Sequence, residues 1–202
     1  MGDRRKDILE AGLAVLREHG YAGFTQPRVA EYAGMRQSHL TYYHPTRADL
    51  LAEVGKEAVR RQLAVVDGNL DGLQSLDAIA SAIARVVIIH PNTRVLLALA
   101  QVGDGEPRLA GLFQELADGF ISRLETILTR LDGRASANAS ARLIQALVVG
   151  LAVVDLATAG SGGVDRVTAI LKSALHATAS EPAPSQSKRI AAPPRIKREK
   201  KR

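Results

Sequence analysis

The stretch Gly34-Met35-Arg36-Gln37-Ser38-His39-Leu40-Thr41-Tyr42-Tyr43 decides how the chain is read. Just before it, Thr25-Gln26-Pro27-Arg28-Val29-Ala30-Glu31-Tyr32-Ala33 sets Val29, Ala30 and Ala33 at one-face helical spacing, and Gly34 ends the run. Thr25 suits an N-cap, and Pro27 falls where a missing N–H costs little. Two short helices joined by a glycine turn make a helix-turn-helix. Met35 and Leu40 supply apolar plugs between the helices. Arg36, Gln37, Ser38, His39, Thr41 and Tyr42 are left at or near the start of the second helix, as donors and acceptors for phosphates and base edges.

Upstream, residues 4 to 19 read as a helix with Ile8, Ala11, Val15 and Leu16 on one face, closed by a left-handed cap at Gly20. Arg4, Arg5 and Lys6 sit at its start, the wrong end for cations beside a helix dipole; DNA phosphate and a solvated terminus both account for them. Tyr21 and Phe24, two of only seven aromatic residues, are expected to plug the small core under the three helices.

Downstream, the spacing predicts a long helix from Leu50 to about Leu70, with Leu51, Val54, Ala58, Gln62 and Val65 near one stripe, joining this unit to the rest. Further helices are predicted over Ser75 to His90, Asn92 to about Val102, and the amphipathic run from Leu109 to Leu131. The last two span Ser136 to Ala159 and Val164 to Thr178, and the Gly160-Ser161-Gly162-Gly163 loop between them is read as a cap and turn, since it lacks the Lys-Ser/Thr and the preceding strand of a phosphate loop. The helix from Ser136 is apolar nearly all round: Leu143, Leu147, Gly150 and Val154 form one stripe, and Ile144, Val148, Leu151 and Asp155 another. Two apolar faces need two partners, the body on one side and a second copy of the chain on the other.

Composition narrows the class. Apolar residues make up 46% of the 202 but aromatics only 3%, so the core is built from Ala, Leu, Val and Ile. No strand-like alternation stands out. The absence of cysteine removes disulfides and thiolate metal sites and fits a reducing cytoplasm. The acid-interrupted N-terminal segment argues against a signal peptide, and the run Leu143 to Ala159, broken by Gln145 and Asp155, is read as a buried helix shorter than a membrane span. Net charge is +6, and residues 181 to 202 carry all of it, with eight Lys/Arg against two Glu. This tail, with Pro182, Pro184, Pro193 and Pro194, should not fold alone; it either adds salt-sensitive attraction to DNA or is a solvated appendage. Residues 1 to 61, with ten basic and eight acidic side chains, are only mildly basic, so the DNA-reader argument rests on pattern rather than charge.

The residues Ile8-Leu9-x-Ala11, Gly20-Tyr21, Thr25, Val29-Ala30-x-x-Ala33-Gly34, Leu40-Thr41-Tyr42-Tyr43, Pro45-Thr46-Arg47 and Leu50-Leu51 together resemble the N-terminal domain of the TetR family of bacterial transcriptional regulators. The resemblance implies an all-α homodimer, its N-terminal helix-turn-helix domain on DNA and a helical domain behind it for effector binding and dimerisation. It maps Thr25 to a phosphate-capping threonine, Arg36, Gln37, Ser38, His39 and Thr41 to the base-facing and groove-facing set, and Tyr42, Tyr43 and Arg47 to backbone-phosphate contacts. Two positions depart from the pattern: Arg36 stands where many members have a capping serine, and His44 where they have a buried phenylalanine. A hydrogen-bonded packing histidine is the expectation for His44.

No catalytic or metal-ligand spacing appears among the five histidines, and no GxSxG, Walker loop or dinucleotide fingerprint occurs, so neither an enzyme nor a cofactor is implied. Asp155, the single acid in its apolar run, is expected to pair with Arg142 or Arg85; with Arg94 and Gln101 it is also a candidate polar contact for a ligand. The resulting expectation divides the chain into a DNA-binding domain over 1–47, a connecting helix over about 48–70, an effector-binding and dimerisation domain over 71–180, and the basic tail 181–202. Function is read as a cytoplasmic, sequence-specific DNA-binding regulator, a repressor that an unknown small-molecule effector releases from a palindromic operator. The homodimer forms through helices at about 136–159 and 164–178, without a membrane. The alternatives are a helical ligand-sequestering or enzymatic domain with a vestigial helix-turn-helix, and a non-specific nucleic-acid binder driven by the tail.

Overall fold

The computed structural model describes residues 4–89, 91–100, 105, 107–132, 137–158 and 163–180. Among these the chain forms helices and no strand: α1 Arg4–His19, α2 Gln26–Tyr32, α3 Gln37–Tyr43, α4 Arg47–Leu70, α5 Leu76–Ile89, α6 Pro91–Ala100, α7 Pro107–Asp132, α8 Ala137–Ala157 and α9 Gly163–Ser180. The tail, Gln101, His90 and most of the glycine loop lie outside the described residues.

Local signals set most boundaries. Gly20 ends α1 at φ +63°, its N–H on the Leu16 carbonyl, the left-handed cap the sequence predicts. The start of α4 carries a full capping box that the sequence reading missed. The Thr46 hydroxyl oxygen accepts from the Asp49 backbone N–H, and the Asp49 carboxylate accepts from the Thr46 N–H. The helix therefore begins at Arg47 rather than Leu50, and it runs through Asp67-Gly68-Asn69 to Leu70 before Gly72 turns the chain at φ +70°. Ser75 caps α5 through the Ala78 N–H.

Two apolar clusters fill the interior, and α4 contributes to both. Ile8, Leu16, Phe24, Val29, Leu40, Leu50 and Val54 build the first, which also takes in Val95 and Leu99 of α6 and Leu109 and Leu112 of α7. The second gathers the C-terminal end of α4 with α5, α7, α8 and α9. The N-terminal core thus does not close at residue 47; the second half of α6 and the first turns of α7 complete it. Ion pairs stitch α4 to its neighbours: Arg5 to Glu53 at 2.6 Å, Arg61 to Glu10, Arg108 to Asp49 at 2.5 Å and Arg123 to Asp67 at 2.5 Å. Exposed pairs of this kind stabilise little individually, but here they fix α4 against α1 on one side and α7 on the other.

The helix α8 departs from expectation. It begins at Ala137, and over its 21 residues it is long and apolar enough to cross a membrane by length and composition. It is also not buried all round. Ala141 and Ile144 are in the core, whereas Leu143, Val149, Val153, Val154 and Leu156 are exposed, as is Ile170 of α9. One stripe of α8 packs on the body and the other faces outward in the single chain.

Candidate nucleic-acid interface

The turn before α3 is built by the backbone. Gly34 adopts φ +62°, the Gly34 N–H bonds the Glu31 carbonyl at 3.0 Å, and the Met35 N–H bonds the Ala30 carbonyl at 3.0 Å. This pair of bonds is a Schellman motif, which ends a helix and turns the chain in one residue. Leu40, 0% exposed, anchors α3 to the core of α1 and α2. With that one face fixed, Arg36, Gln37, Ser38, His39, Tyr42 and Tyr43 are all exposed. Tyr42 is 83% exposed and Tyr43 47%, an unfavourable placement for aromatic rings in water unless something covers them. Their rings meet edge to face with centroids 5.4 Å apart.

Each of the other sequence-predicted residues has a definite place. Thr25 caps α2, its hydroxyl oxygen accepting from the Arg28 N–H at 3.4 Å. Arg36 occupies the N-cap position of α3 and makes no side-chain cap, as its guanidinium requires, since it has no acceptor. Thr41 donates its hydroxyl to the Gln37 and Ser38 carbonyls, both at 3.1 Å, within its own helix. Arg47 is occupied by the protein itself: Nε donates to the Phe24 carbonyl at 2.7 Å, Nη1 to the Tyr21 hydroxyl at 2.9 Å and Nη2 to the Tyr21 carbonyl at 3.1 Å. Its guanidinium also stacks 4.2 Å from the Tyr21 ring centroid. Its first task is to lock the α1–α2 loop to the start of α4.

Two further residues bear on this surface: Arg4, which the sequence marks as a candidate for DNA phosphate, and Gln26, which it does not single out. Arg4 lines an open groove with Arg36, His39, Tyr42 and Tyr43, which brings the first basic residue of α1 beside the reading helix. Gln26 donates from Nε2 to the His44 carbonyl at 2.7 Å and so ties the start of α2 to the end of α3. Spacing alone carries no signal for Gln26, because its role depends on how the helices cross.

His44 is 4% exposed, in the place the sequence predicts, but without the hydrogen bond expected of it: Nε2 is buried with no partner. Burial pushes its pKa below the ordinary histidine value, with Arg5 acting in the same direction and Glu53 and Asp49 against it. The ring is therefore held neutral, standing in for an apolar side chain.

The pocket candidates are scattered. Among the described residues a cavity of about 440 Å³ opens between α4, α5, α6, α7 and α8, lined chiefly by Val, Leu, Ile, Ala and Phe with Gln62, Thr93, Gln114 and Gln145. Neither Arg94 nor Asp155 lines it; Arg94 is exposed on the outer side of α6. Asp155 pairs with neither Arg142 nor Arg85. Its Oδ1 is buried without a hydrogen-bond partner, and Arg142 donates instead to Asn138 at 2.9 Å. One turn of helix separates Asp155 from the stripe that faces the cavity. Gln62 reads in the sequence as part of an apolar stripe, and its polar role appears only with the fold.

Residues 8–54 match the family described as bacterial regulatory proteins, tetR family. No curated protein sequence matches the chain. Among solved structures, a transcriptional regulator from Rhodococcus sp. superposes with a TM-score of 0.75 at 19% identity, covering 86% of this chain and 94% of its own. A TetR transcription regulator from Haloarcula marismortui gives 0.74 at 18% identity, covering 88% and 98%. The multidrug binding protein EbrR complexed with imidazole gives 0.67 at 19% identity, covering 92% and 99%. At these identities the likeness establishes a shared fold along nearly the whole chain.

Proposed function

Because the chain belongs to the tetR family of bacterial regulatory proteins, we propose that it is a homodimeric repressor whose two α3 helices enter successive major grooves of a near-palindromic operator. The observation that carries the reading is the division of α3: Leu40 alone is buried, and every other side chain from Arg36 to Tyr43 except the half-buried Thr41 is exposed. In this reading Arg36, Gln37, Ser38, His39 and Thr41 meet base edges and groove walls. Thr25, Tyr42 and Tyr43 meet phosphates, with Arg4 beside them. Arg47 keeps two N–H groups beyond those it gives to Tyr21 and Phe24, and its contribution to phosphate is secondary to holding the domain together.

Dimerisation through α8 and α9 covers the exposed stripe of Leu143, Val149, Val153, Val154 and Ile170. An apolar stripe on one side of a helix whose other side is packed in the core suits a second protein copy better than lipid, which would surround it. A cytoplasmic location follows from the DNA target. The two-fold axis of the dimer sets the operator half-sites about one helical turn or a multiple apart. An effector in the cavity among α4 to α8 favours one of two arrangements of α4, and because α4 is ion-paired to α1 through Glu53 and Arg61, a shift of α4 carries the reading head with it. A protein of the same fold is a multidrug binding protein, which is in keeping with a ligand role for this cavity.

Replacing Gln37, His39 and Tyr42 together with alanine tests the reading by fluorescence anisotropy on the operator. These side chains are exposed, so folding is unaffected, and affinity is expected to fall at least a hundredfold, since the base contacts of Gln37 and His39 count for roughly 1–3 kcal/mol each and the phosphate contact of Tyr42 is lost with them. Unchanged affinity would sink it.

A further inference from the structure

Resting on the effector reading above, we propose that the cavity takes an uncharged, largely apolar molecule carrying a hydrogen-bond acceptor such as a carbonyl, and that the Gln62 side-chain amide is the group that recognises it. The cavity volume, about 440 Å³, lies within the roughly 300–1,000 Å³ of drug-sized sites. Among the described residues no Asp, Glu, Lys, Arg or His lines it, so a charged ligand would enter without a counter-ion and lose its hydration uncompensated. Its polar lining is all amide or hydroxyl, and two of the four groups are already engaged: Thr93 donates to the Val86 carbonyl at 3.2 Å, and Gln114 to Asp118 at 2.9 Å.

Gln62 differs from these. It is 9% exposed, on the α4 face that lines the cavity. Its Oε1 accepts from Asn92 Nδ2 at 3.2 Å, and the same Asn92 amide donates to the Ala58 carbonyl at 2.7 Å. Asn92 is itself 4% exposed, so the acceptor end of Gln62 is held by a buried partner on α6. The other end, the Nε2 amide, has two N–H donors and makes no hydrogen bond to a protein group among the described residues. With its acceptor end held by Asn92, the amide presents its donors to the cavity, and a ligand carbonyl that meets them there keeps its hydrogen bonding on leaving water. Phe113 and Phe120 on α7 supply flat apolar contact for the remainder of the molecule.

The placement also links recognition to DNA. Gln62 and Ala58 lie on the helix whose first turns belong to the N-terminal core, and Asn92 binds both. A ligand that draws on the Gln62 amide acts directly on the joint between α4 and α6.

The test uses the full chain and three fluorescent probes of similar size: neutral 6-propionyl-2-dimethylaminonaphthalene, which carries one ketone, anionic 1-anilinonaphthalene-8-sulfonate and cationic ethidium. The neutral ketone is expected to bind with a blue-shifted emission and at least tenfold more tightly than either ion. Gln62→Leu, which keeps the volume and removes the donor, is expected to weaken the ketone about tenfold or more, and Gln62→Glu to weaken it while strengthening ethidium. Circular dichroism melts identify a variant that fails to fold. Should Gln62→Leu do so, the wild-type ranking of probes and Leu97→Phe, which fills the cavity from another wall and should abolish ketone binding, carry the test. Equal or tighter binding of a charged probe, or a ketone affinity indifferent to Gln62→Leu and Leu97→Phe, overturns the proposal. Failure of the effector reading looks different: the ketone binds as described, and saturating ligand leaves operator affinity unchanged.

Discussion

At the residue scale, His44 and Arg47 show how a side chain's surroundings decide its work. His44 is neutral in the fold because burial lowers its pKa, whereas in the unfolded chain it titrates near the ordinary value of about 6.5. The unfolded state therefore binds more protons as pH falls through that value. The stability His44 contributes is fully present above about pH 6.5 and declines below it, by at most about 1.4 kcal/mol per pH unit. Urea midpoints at pH 7.5 and 5.5 should differ more for the natural chain than for His44→Phe, which fits the same apolar surroundings without a proton to gain. Glu57, held down at about 2 by Arg60 and Arg61, titrates far below this window. Arg47→Ala should cost about 1–3 kcal/mol in denaturant unfolding, because the Phe24 and Tyr21 carbonyls lose their donor. Arg47→Lys should recover only part, a single ammonium being unable to span all three partners.

At the element scale, the helices with chemical punctuation were legible and those defined by packing were less so. Gly34, Thr25, Gly20 and Ser75 announce their turns and caps, and α3 falls at Gln37–Tyr43, inside the stretch Gly34 to Tyr43. The start of α4 was placed three residues late because Leu50 is the first apolar landmark, while the capping box of Thr46 and Asp49 is a polar signal that spacing of apolar residues does not register. The exposed face of α3 was legible because one buried position, Leu40, assigns all the others. The cavity was not: Gln62, Thr93 and Gln145 come from α4, α6 and α8, and nothing local marks residues as neighbours when they meet only through helix crossings. Two substitutions separate the caps from the reader. Gly34→Ala meets no atom within 4 Å, so its cost is the left-handed backbone alone, about 1 kcal/mol of stability. Thr46→Ala should likewise cost about 1 kcal/mol through the lost cap, both read from thermal or urea unfolding, with DNA contacts left in place.

At the scale of the whole molecule, α4 joins two cores, and the exposed stripe on α8 and α9 is the surface left without a partner. Placing a charge there, as in Val153→Asp, should turn a dimer into a monomer in sedimentation equilibrium without lowering the helical content, since Val153 is outside the core. The same variant should bind a single operator half-site weakly and lose the affinity gained from two linked readers. A division at residue 47 was natural to expect from the motif, yet Val95, Leu99, Leu109 and Leu112 complete the N-terminal core. A change among α4, α6 and α7 therefore touches side chains of the same core that holds α1 to α3.

In the proposed mechanism Arg36 to Tyr43 read DNA sequence as part of a two-fold dimer. Selection of bound fragments from a random pool of duplex DNA by the full chain tests it most directly. A near-palindrome with half-sites separated by about one helical turn or a multiple should be enriched, and lost when Gln37, His39 and Tyr42 are replaced by alanine. Recovery of no shared motif, or of the same motif by the triple variant, would contradict it.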